Sequence, residues 1–387
     1  MKPEGTFAVH AQVVMEDVVR EGIVTVTDGM IASVDVDVLA QPEAELLEAR
    51  DHYLLPGFID LHVHGGNGHD FMDASADAFR EITRFHAMNG TTAMLATTVT
   101  APKEAIEEVL AAAERFRRQP MPWAELLGVH LEGPFISGKW PGAQNPAHIV
   151  PPQPAWIRDW LAKYPDLIRI VTLAPEIEGA PDMLDLLASA GIIASCGHTD
   201  ATWSEIVDSI PRGLSHAAHL FNAMRGFHHR EPGTVGAVLS RDELTAEMIA
   251  DGVHVHPAAL RMALHCKKGD GLILVTDAIS AAGLGDGDYR LGGLEVTVKG
   301  GVARLKANGQ LAGSTLTMIR AFRYMVREIG LSLPQASRLA SLNPALRLGI
   351  ERQTGSIAPG KRADLLLLSP DLEISRVWVR GRRVDGT

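Results

Sequence analysis

Apolar and polar residues along this 387-residue chain follow two periods in turn, and their order predicts an architecture. Between about Leu55 and Ser341, short apolar runs alternate with longer stretches whose apolar positions recur at helical spacing. The runs predict strands over 58–64, 92–98, 126–132, 168–173, 192–197, 213–218, 245–250 and 272–276. A helix is predicted over 78–88, where Phe79, Ile82 and Phe85 share a face, with Ser75 as cap and Gly90 as terminator. Further helices are predicted over 103–118, 183–190, 204–210, 258–265 and 316–329. Eight strands alternating with helices predict an α/β fold, a (β/α)8 TIM-type barrel whose chemistry collects at the strands' C-terminal ends. A doubly wound open sheet is the competing arrangement. The segment 293–313, rich in Gly and β formers, reads as a hairpin appended after the eighth strand.

The chain ends follow a different pattern. Phe7-Ala8-Val9, Gly22-Ile23-Val24-Thr25-Val26 and Met30-Ile31-Ala32-Ser33-Val34 read as short strands separated by turns such as Asp28-Gly29. Ala363-Asp364-Leu365-Leu366-Leu367-Leu368 and Val377-Trp378-Val379 have matching character. Neither set suffices for a domain. The expectation is that 1–53 and 351–387 pair into one small β-sandwich domain, with the barrel, 54–350, inserted between them.

Composition narrows the function classes. A formal charge of −11 argues against a nucleic-acid or anionic-membrane surface. Two cysteines, Cys196 and Cys266, offer no disulfide framework and suit a reducing cytoplasm. Residues Met1 to Val14 lack the pattern of a secretory signal, and no apolar run has the length of a membrane span. The expectation is therefore a cytoplasmic protein without nucleic-acid or membrane partners. Sixteen histidines are the oddity, and their placement carries the chemistry.

Glu132 ends the apolar run Glu125 to Leu131 just before Gly133-Pro134. A carboxylate delivered to a buried strand end needs a cation. His62 and His64, two apart in Asp60-Leu61-His62-Val63-His64, face the same way at the first strand's end and suit a metal. Cys196-Gly197-His198 closes the fifth strand and His216-Ala217-Ala218-His219 the sixth. Asp251-Gly252-Val253-His254-Val255-His256 follows the seventh, and Thr276-Asp277 the eighth. Divalent cations bridged by Glu132 would acidify water and polarise a carbonyl. A histidine nearby can hold the carbonyl oxygen, and the eighth-strand Asp can move the water's proton to a leaving amine. That is hydrolysis of an amide or a related C–N bond.

At these residues the chain resembles the amidohydrolase superfamily, through Pro56-Gly57-Phe58-Ile59-Asp60-Leu61-His62-Val63-His64 and Gly355-Ser356-Ile357-Ala358-Pro359-Gly360-Lys361-Arg362-Ala363-Asp364-Leu365. More narrowly it is similar to the branch that deacetylates N-acetylglucosamine 6-phosphate. His130-Leu131-Glu132-Gly133-Pro134-Phe135, Gly197-His198-Thr199, residues His216 to Met224, Arg230-Glu231-Pro232-Gly233, Asp251-Gly252-Val253-His254, Thr276-Asp277-Ala278 and Leu311-Ala312-Gly313-Ser314 carry that similarity. The resemblance implies Glu132, His198 and His219 as ligands of a principal metal, with His62, His64 and the bridging Glu132 holding a second. Two zinc ions are expected, with iron, manganese or cobalt as alternatives. It further implies Asp277 as acid/base and metal contact, and His254 as the group polarising the acetyl carbonyl. Ala143, Gln144, Asn222, Ala223, Leu311, Ala312 and Gly313 would meet the sugar phosphate. Arg230 would bind the phosphate across a homodimer interface. His130 and His216 are read as supporting neighbours, and the choice of His254 over His256 rests on the resemblance.

The branch commonly carries a His where Gln144 stands, which keeps the galactosamine epimer open as substrate. A cyclic amidase or deaminase is a further alternative, although many of those bridge their metals with a carboxylated Lys and no Lys sits at a matching strand end here. The reading from another class is a catalytically silent barrel serving as a scaffold; such proteins typically lose ligands that this chain retains.

Overall fold

Eight parallel strands in unbroken sequential order form the central sheet: Phe58–Asp60, Thr91–Thr97, Glu125–Glu132, Ile168–Leu173, Ile193–Cys196, Leu214–Ala217, Thr245–Ile249 and Leu272–Val275. They belong to a computed structural model that describes residues 5–37 and 44–387. Residues 1–4 and 38–43, part of the expected N-terminal unit, lie outside the described residues. A doubly wound sheet reverses its strand order at a switch point, and this order has none. Thr91–Thr97 and Leu272–Val275 are buried at every position, as strands covered on both faces should be.

Among the described residues the ladder does not close, because no strand pairing joins the first strand to the eighth. The two meet just beyond their ends. Val63 and Ala278 form a parallel bridge, Asp277 N donates to His62 O at 2.8 Å, and His64 N donates to Ala278 O at 2.9 Å. The Asp60 carboxylate accepts from Thr276 N at 3.2 Å and Thr276 Oγ1 at 2.6 Å. The seam is therefore held at the edge where the histidines lie.

The predicted helices are present with small boundary shifts. Ser75 caps Ala76–Met88 by accepting from Ala78 N at 3.1 Å. The stretch expected over 316–329 is α-helical through Met318–Tyr324 and widens into π turns over Met325–Ile329. Four α-helices have no counterpart in the sequence reading: Pro154–Lys163, Gly233–Ser240, Leu333–Ser337 and Asn343–Leu348. Gly233–Ser240 is buried almost throughout and shows no one-sided apolar stripe, whereas Trp156, Ile157, Trp160 and Leu161 give Pro154–Lys163 such a stripe just after Pro151 and Pro152.

Strands from both chain ends share one seven-stranded sheet. Its order is Arg382–Arg383, Ile374–Val379, Leu365–Leu368, Glu45–Pro56, Phe7–Val14, Val19–Thr27 and Met30–Val36. The expected sandwich is thus hydrogen-bonded as one continuous sheet. Its central strand, Glu45–Pro56, runs parallel to Phe7–Val14 and antiparallel to Leu365–Leu368, and it crosses residue 53. Val9, Ala11, Val24, Leu54, Leu365 and Trp378 make its buried cluster. Arg362 and Arg380 both reach Glu125, tying this sheet to the start of the third central strand. After the eighth central strand, Gly287–Leu291, Leu294–Lys299 and Val302–Leu305 form an antiparallel three-stranded sheet, beginning earlier than the predicted hairpin. Its apolar side packs on Val99 and Ile279 beside the site.

Leu365 is fully buried where the two chain ends pair. Leu365→Ala is expected to lower stability by about 2–5 kcal/mol, read as a lower urea midpoint; an unchanged midpoint would contradict a cooperative role for this sheet.

Candidate metal centre

Six side chains from five strand ends converge on one buried point. Glu132 Oε1 lies 2.9 Å from His219 Nε2, 3.1 Å from His198 Nε2 and 3.3 Å from His62 Nε2. Its Oε2 lies 3.4 Å from His64 Nε2. Asp277 Oδ1 is 3.2 Å from His64 Nε2 and 3.7 Å from His62 Nε2. Three of these residues hold positive φ that L side chains seldom adopt: His198 at 48°, His219 at 28° and Asp277 at 50°. Such strain concentrates where geometry matters more than local comfort.

The hydrogen bonds on the far side of each ring decide the chemistry. His62 Nδ1 donates to Glu247 Oε2 at 2.8 Å, and His64 Nδ1 to Thr97 O at 3.3 Å. His198 Nδ1 donates to Trp140 O at 3.1 Å, and His219 Nδ1 to Asn222 O at 3.2 Å. A neutral ring that donates from Nδ1 presents a bare lone pair at Nε2. Four such lone pairs face carboxylate oxygens. His198 Nε2 and His219 Nε2 stand only 3.2 Å apart, and His62 Nε2 is buried without a hydrogen-bond partner. Lone pairs this close repel unless a cation lies among them, so the donor set fits a metal.

Electrostatics point the same way. Burial would raise the Glu132 carboxyl, but the neighbouring imidazoles, His62 and His198 foremost, hold it well below the usual range. Burial would lower His64, yet the hydrogen bonds and charges of Asp277 and Glu132 raise it to about 9. The carboxylates that would hold a proton on these rings are equally suited to hold a cation. His130 differs: burial, then the charge of His62, pushes it down to about 3. Both its nitrogens are engaged, by Leu61 O at 3.1 Å and Thr172 Oγ1 at 2.7 Å, so it supports the floor and does not ligate.

Above this floor opens a cavity of about 340 Å³. Ala143, Gln144, Asn222, Ala223, His254, Leu311 and Gly313 line it with His64, Glu132, His198, His219 and Asp277. Ala312 is fully buried behind its two neighbours. Arg230 is exposed and does not line the cavity; its Nη1 meets His229 Nε2 at 2.9 Å. His256 sits away from the floor as the cap of Pro257–Lys267, accepting from Ala258 N at 3.1 Å. Gln144 is committed within the protein: its Oε1 accepts from Thr100 N at 2.6 Å and its Nε2 donates to Glu132 Oε2 at 2.5 Å.

Two carboxylates hold site histidines in a way the sequence reading did not assign, Asp251 and Glu247. Asp251 Oδ2 holds His254 Nδ1 at 2.6 Å, and its Oδ1 accepts from Val253 N and His254 N, both at 2.8 Å. Glu247, fully buried, meets His62, His216 and the backbone of His219. A Glu in the middle of the apolar strand Thr245-Ala246-Glu247-Met248-Ile249 is the signal that could have found it.

Residues 53–384 match the sequence model of the Amidohydrolase family. The N-acetylglucosamine-6-phosphate deacetylase of Bacillus subtilis (strain 168) is 41% identical over 375 residues, covering 96% of this chain and 94% of that protein. The N-acetylgalactosamine-6-phosphate deacetylase of Escherichia coli O157:H7 is 39% identical, covering 92% of this chain and 93% of its own length. Among solved structures, a mutant of N-acetyl-D-glucosamine-6-phosphate deacetylase from Mycobacterium smegmatis, in complex with N-acetyl-D-glucosamine-6-phosphate, superposes with a TM-score of 0.93 at 35% identity, covering 98% of this chain and 100% of that one.

Stripping metal with a chelator is expected to lower the thermal midpoint, because the lone pairs around Glu132 lose their counter-charge. Re-addition of Zn²⁺ or Co²⁺ should restore it; a midpoint indifferent to both treatments would refute a metal at this floor.

Proposed function

The chain belongs to the amidohydrolase family, and from that premise we propose that it hydrolyses the N-acetyl group of N-acetylglucosamine 6-phosphate, giving glucosamine 6-phosphate and acetate. The observation that carries this reading is the set of four imidazole lone pairs and two carboxylates at the floor of a cavity of sugar size. The relatives that bear the activity's name, at about 40% identity over nearly the whole chain, support it.

Glu132, His198 and His219 would hold one divalent cation, and His62, His64 and Asp277 a second, with Glu132 shared. Zinc is the proposed metal. Charge supports two ions. Glu132, Asp277 and Glu247 are buried carboxylates around these rings, and their ionic contacts are all to histidines. One divalent ion would leave one of the three negative charges uncompensated in the interior, whereas two would cover all three and leave one positive charge for an anionic ligand. When bound, such ions polarise a carbonyl and lower the pKa of water.

The chain's own groups then divide the work. Asp277, at the eighth strand's end, takes the proton of the attacking water and returns it to the leaving nitrogen. His254 is aimed by Asp251 at Nδ1, and we assign its Nε2 edge to the acetyl oxygen. Asn222, Ala223, Leu311 and Gly313 line the cavity where the sugar would lie. We assign Arg230 to the phosphate of substrate bound by the partner in a homodimer, because it is exposed and stands off its own chain's cavity. Two unpaired cysteines suit a reducing compartment, and we place the enzyme in the cytoplasm. No helix among the described residues is long and apolar enough to cross a membrane.

Purified enzyme should release acetate from N-acetylglucosamine 6-phosphate. N-acetylgalactosamine 6-phosphate is the comparison substrate, given the 39% identical relative of that name; a higher kcat/KM on the galactosamine compound would overturn the proposed specificity. Asp277→Asn should lower kcat at least about a hundredfold while the ion at Glu132, His198 and His219 is retained, and near-normal turnover would refute its proton-transfer role. Arg230→Ala should chiefly raise KM for phosphorylated substrate, and an equal loss on the unphosphorylated sugar would refute a phosphate contact.

A further inference from the structure

Glu247 is a fully enclosed carboxylate beside the centre. Its side chain has no exposure, and each of its contacts is to a residue of the site. Oε2 accepts from His62 Nδ1 at 2.8 Å and from His219 N at 3.2 Å, while Oε1 meets His216 Nε2 at 3.2 Å. His216 is in turn fixed by Thr245 Oγ1, 2.6 Å from its Nδ1. One chain of contacts thus runs from the seventh strand through the sixth to the end of the first.

The four rings around Glu132 are oriented by unequal partners. His64, His198 and His219 give their Nδ1 protons to the backbone oxygens of Thr97, Trp140 and Asn222. Only His62, among these four, gives its proton to a carboxylate. An ionised acceptor fixes the ring more firmly than a neutral carbonyl and makes the opposite nitrogen a stronger donor. We propose that Glu247 is a positioning residue that creates the His62–His64 half of the metal centre, setting the ion affinity of that half and leaving the His198–His219 half to its backbone partners. This inference rests on the reading that His62 and His64 hold an ion.

The test uses metal alone, without substrate, so that it stands apart from the proposed deacetylation. Metal-free wild type and Glu247→Gln are dialysed against Co²⁺ and then Zn²⁺, with bound metal counted by mass spectrometry and folding followed by circular dichroism. Wild type should bind two ions per chain; the variant should keep one and bind the other roughly 10–100-fold more weakly. Glu247→Asp, which keeps the charge but shortens its reach to His62, should show the same selective loss. Two ions bound by the Gln variant with wild-type affinity would overturn the proposal, as would equal weakening of both. If both variants melt far below wild type when metal-free, Glu247 serves folding and the proposal falls. Should wild type bind a single ion, the two-ion reading is refuted, and the role of Glu247 stands only if the variant weakens that ion.

Discussion

Glu132, Asp277 and Glu247 lie buried beside four imidazoles, and their ionic contacts are all to histidines. Much of the remaining architecture can be understood as meeting that constraint. Isolated carboxylates in an interior of low polarity would protonate or disrupt their surroundings. Here the rings that face them are held by bonds on their opposite edges, so their lone pairs cannot turn away. The sheet delivers the ligands, but the hydrogen bonds behind the ligands decide what can occupy the space between them.

Those supporting bonds come from elements far apart in the chain. Trp140 belongs to the loop after the third central strand, Thr97 ends the second, and Asn222 follows the sixth. The same loop is anchored by Gln144 to Glu132 and Thr100, and by Lys139 and Trp140 to Asp200. The cavity wall and the metal floor are therefore one hydrogen-bonded body. A change in the wall would be felt by the ligands, and a change in the ligands by the wall.

How much of this was legible in the sequence follows from what each residue's neighbours along the chain reveal. The central strands could be read because apolar runs bounded by Gly and Pro mark buried parallel strands. The pair His62 and His64 and the lone Glu132 could be read because a strand's twofold alternation fixes their direction. Glu247 interrupts an apolar run, but the partner that gives it a role, His62, is 185 positions away. Gln144 lines the cavity, and what the sequence does not reveal is that both its polar atoms are also bound within the protein. The strand Glu45–Pro56 was missed because Glu48, Arg50, Asp51 and His52 interrupt its apolar pattern, and only pairing on both sides makes it a strand.

That strand has a consequence for the order in which the protein can be made. Its edge facing Leu365–Leu368 is completed only when a segment about three hundred residues later leaves the ribosome. At roughly 5–20 residues per second, that edge stays open for some tens of seconds while the central sheet emerges and folds. During that interval it is a template for pairing with any neighbouring nascent chain. The charges that hid the strand from sequence reading, at Glu48, Arg50 and Asp51, are the kind that discourage such pairing. They precede the open edge, Tyr53–Pro56, and would confine such pairing to those four residues until the later strand arrives to cover them.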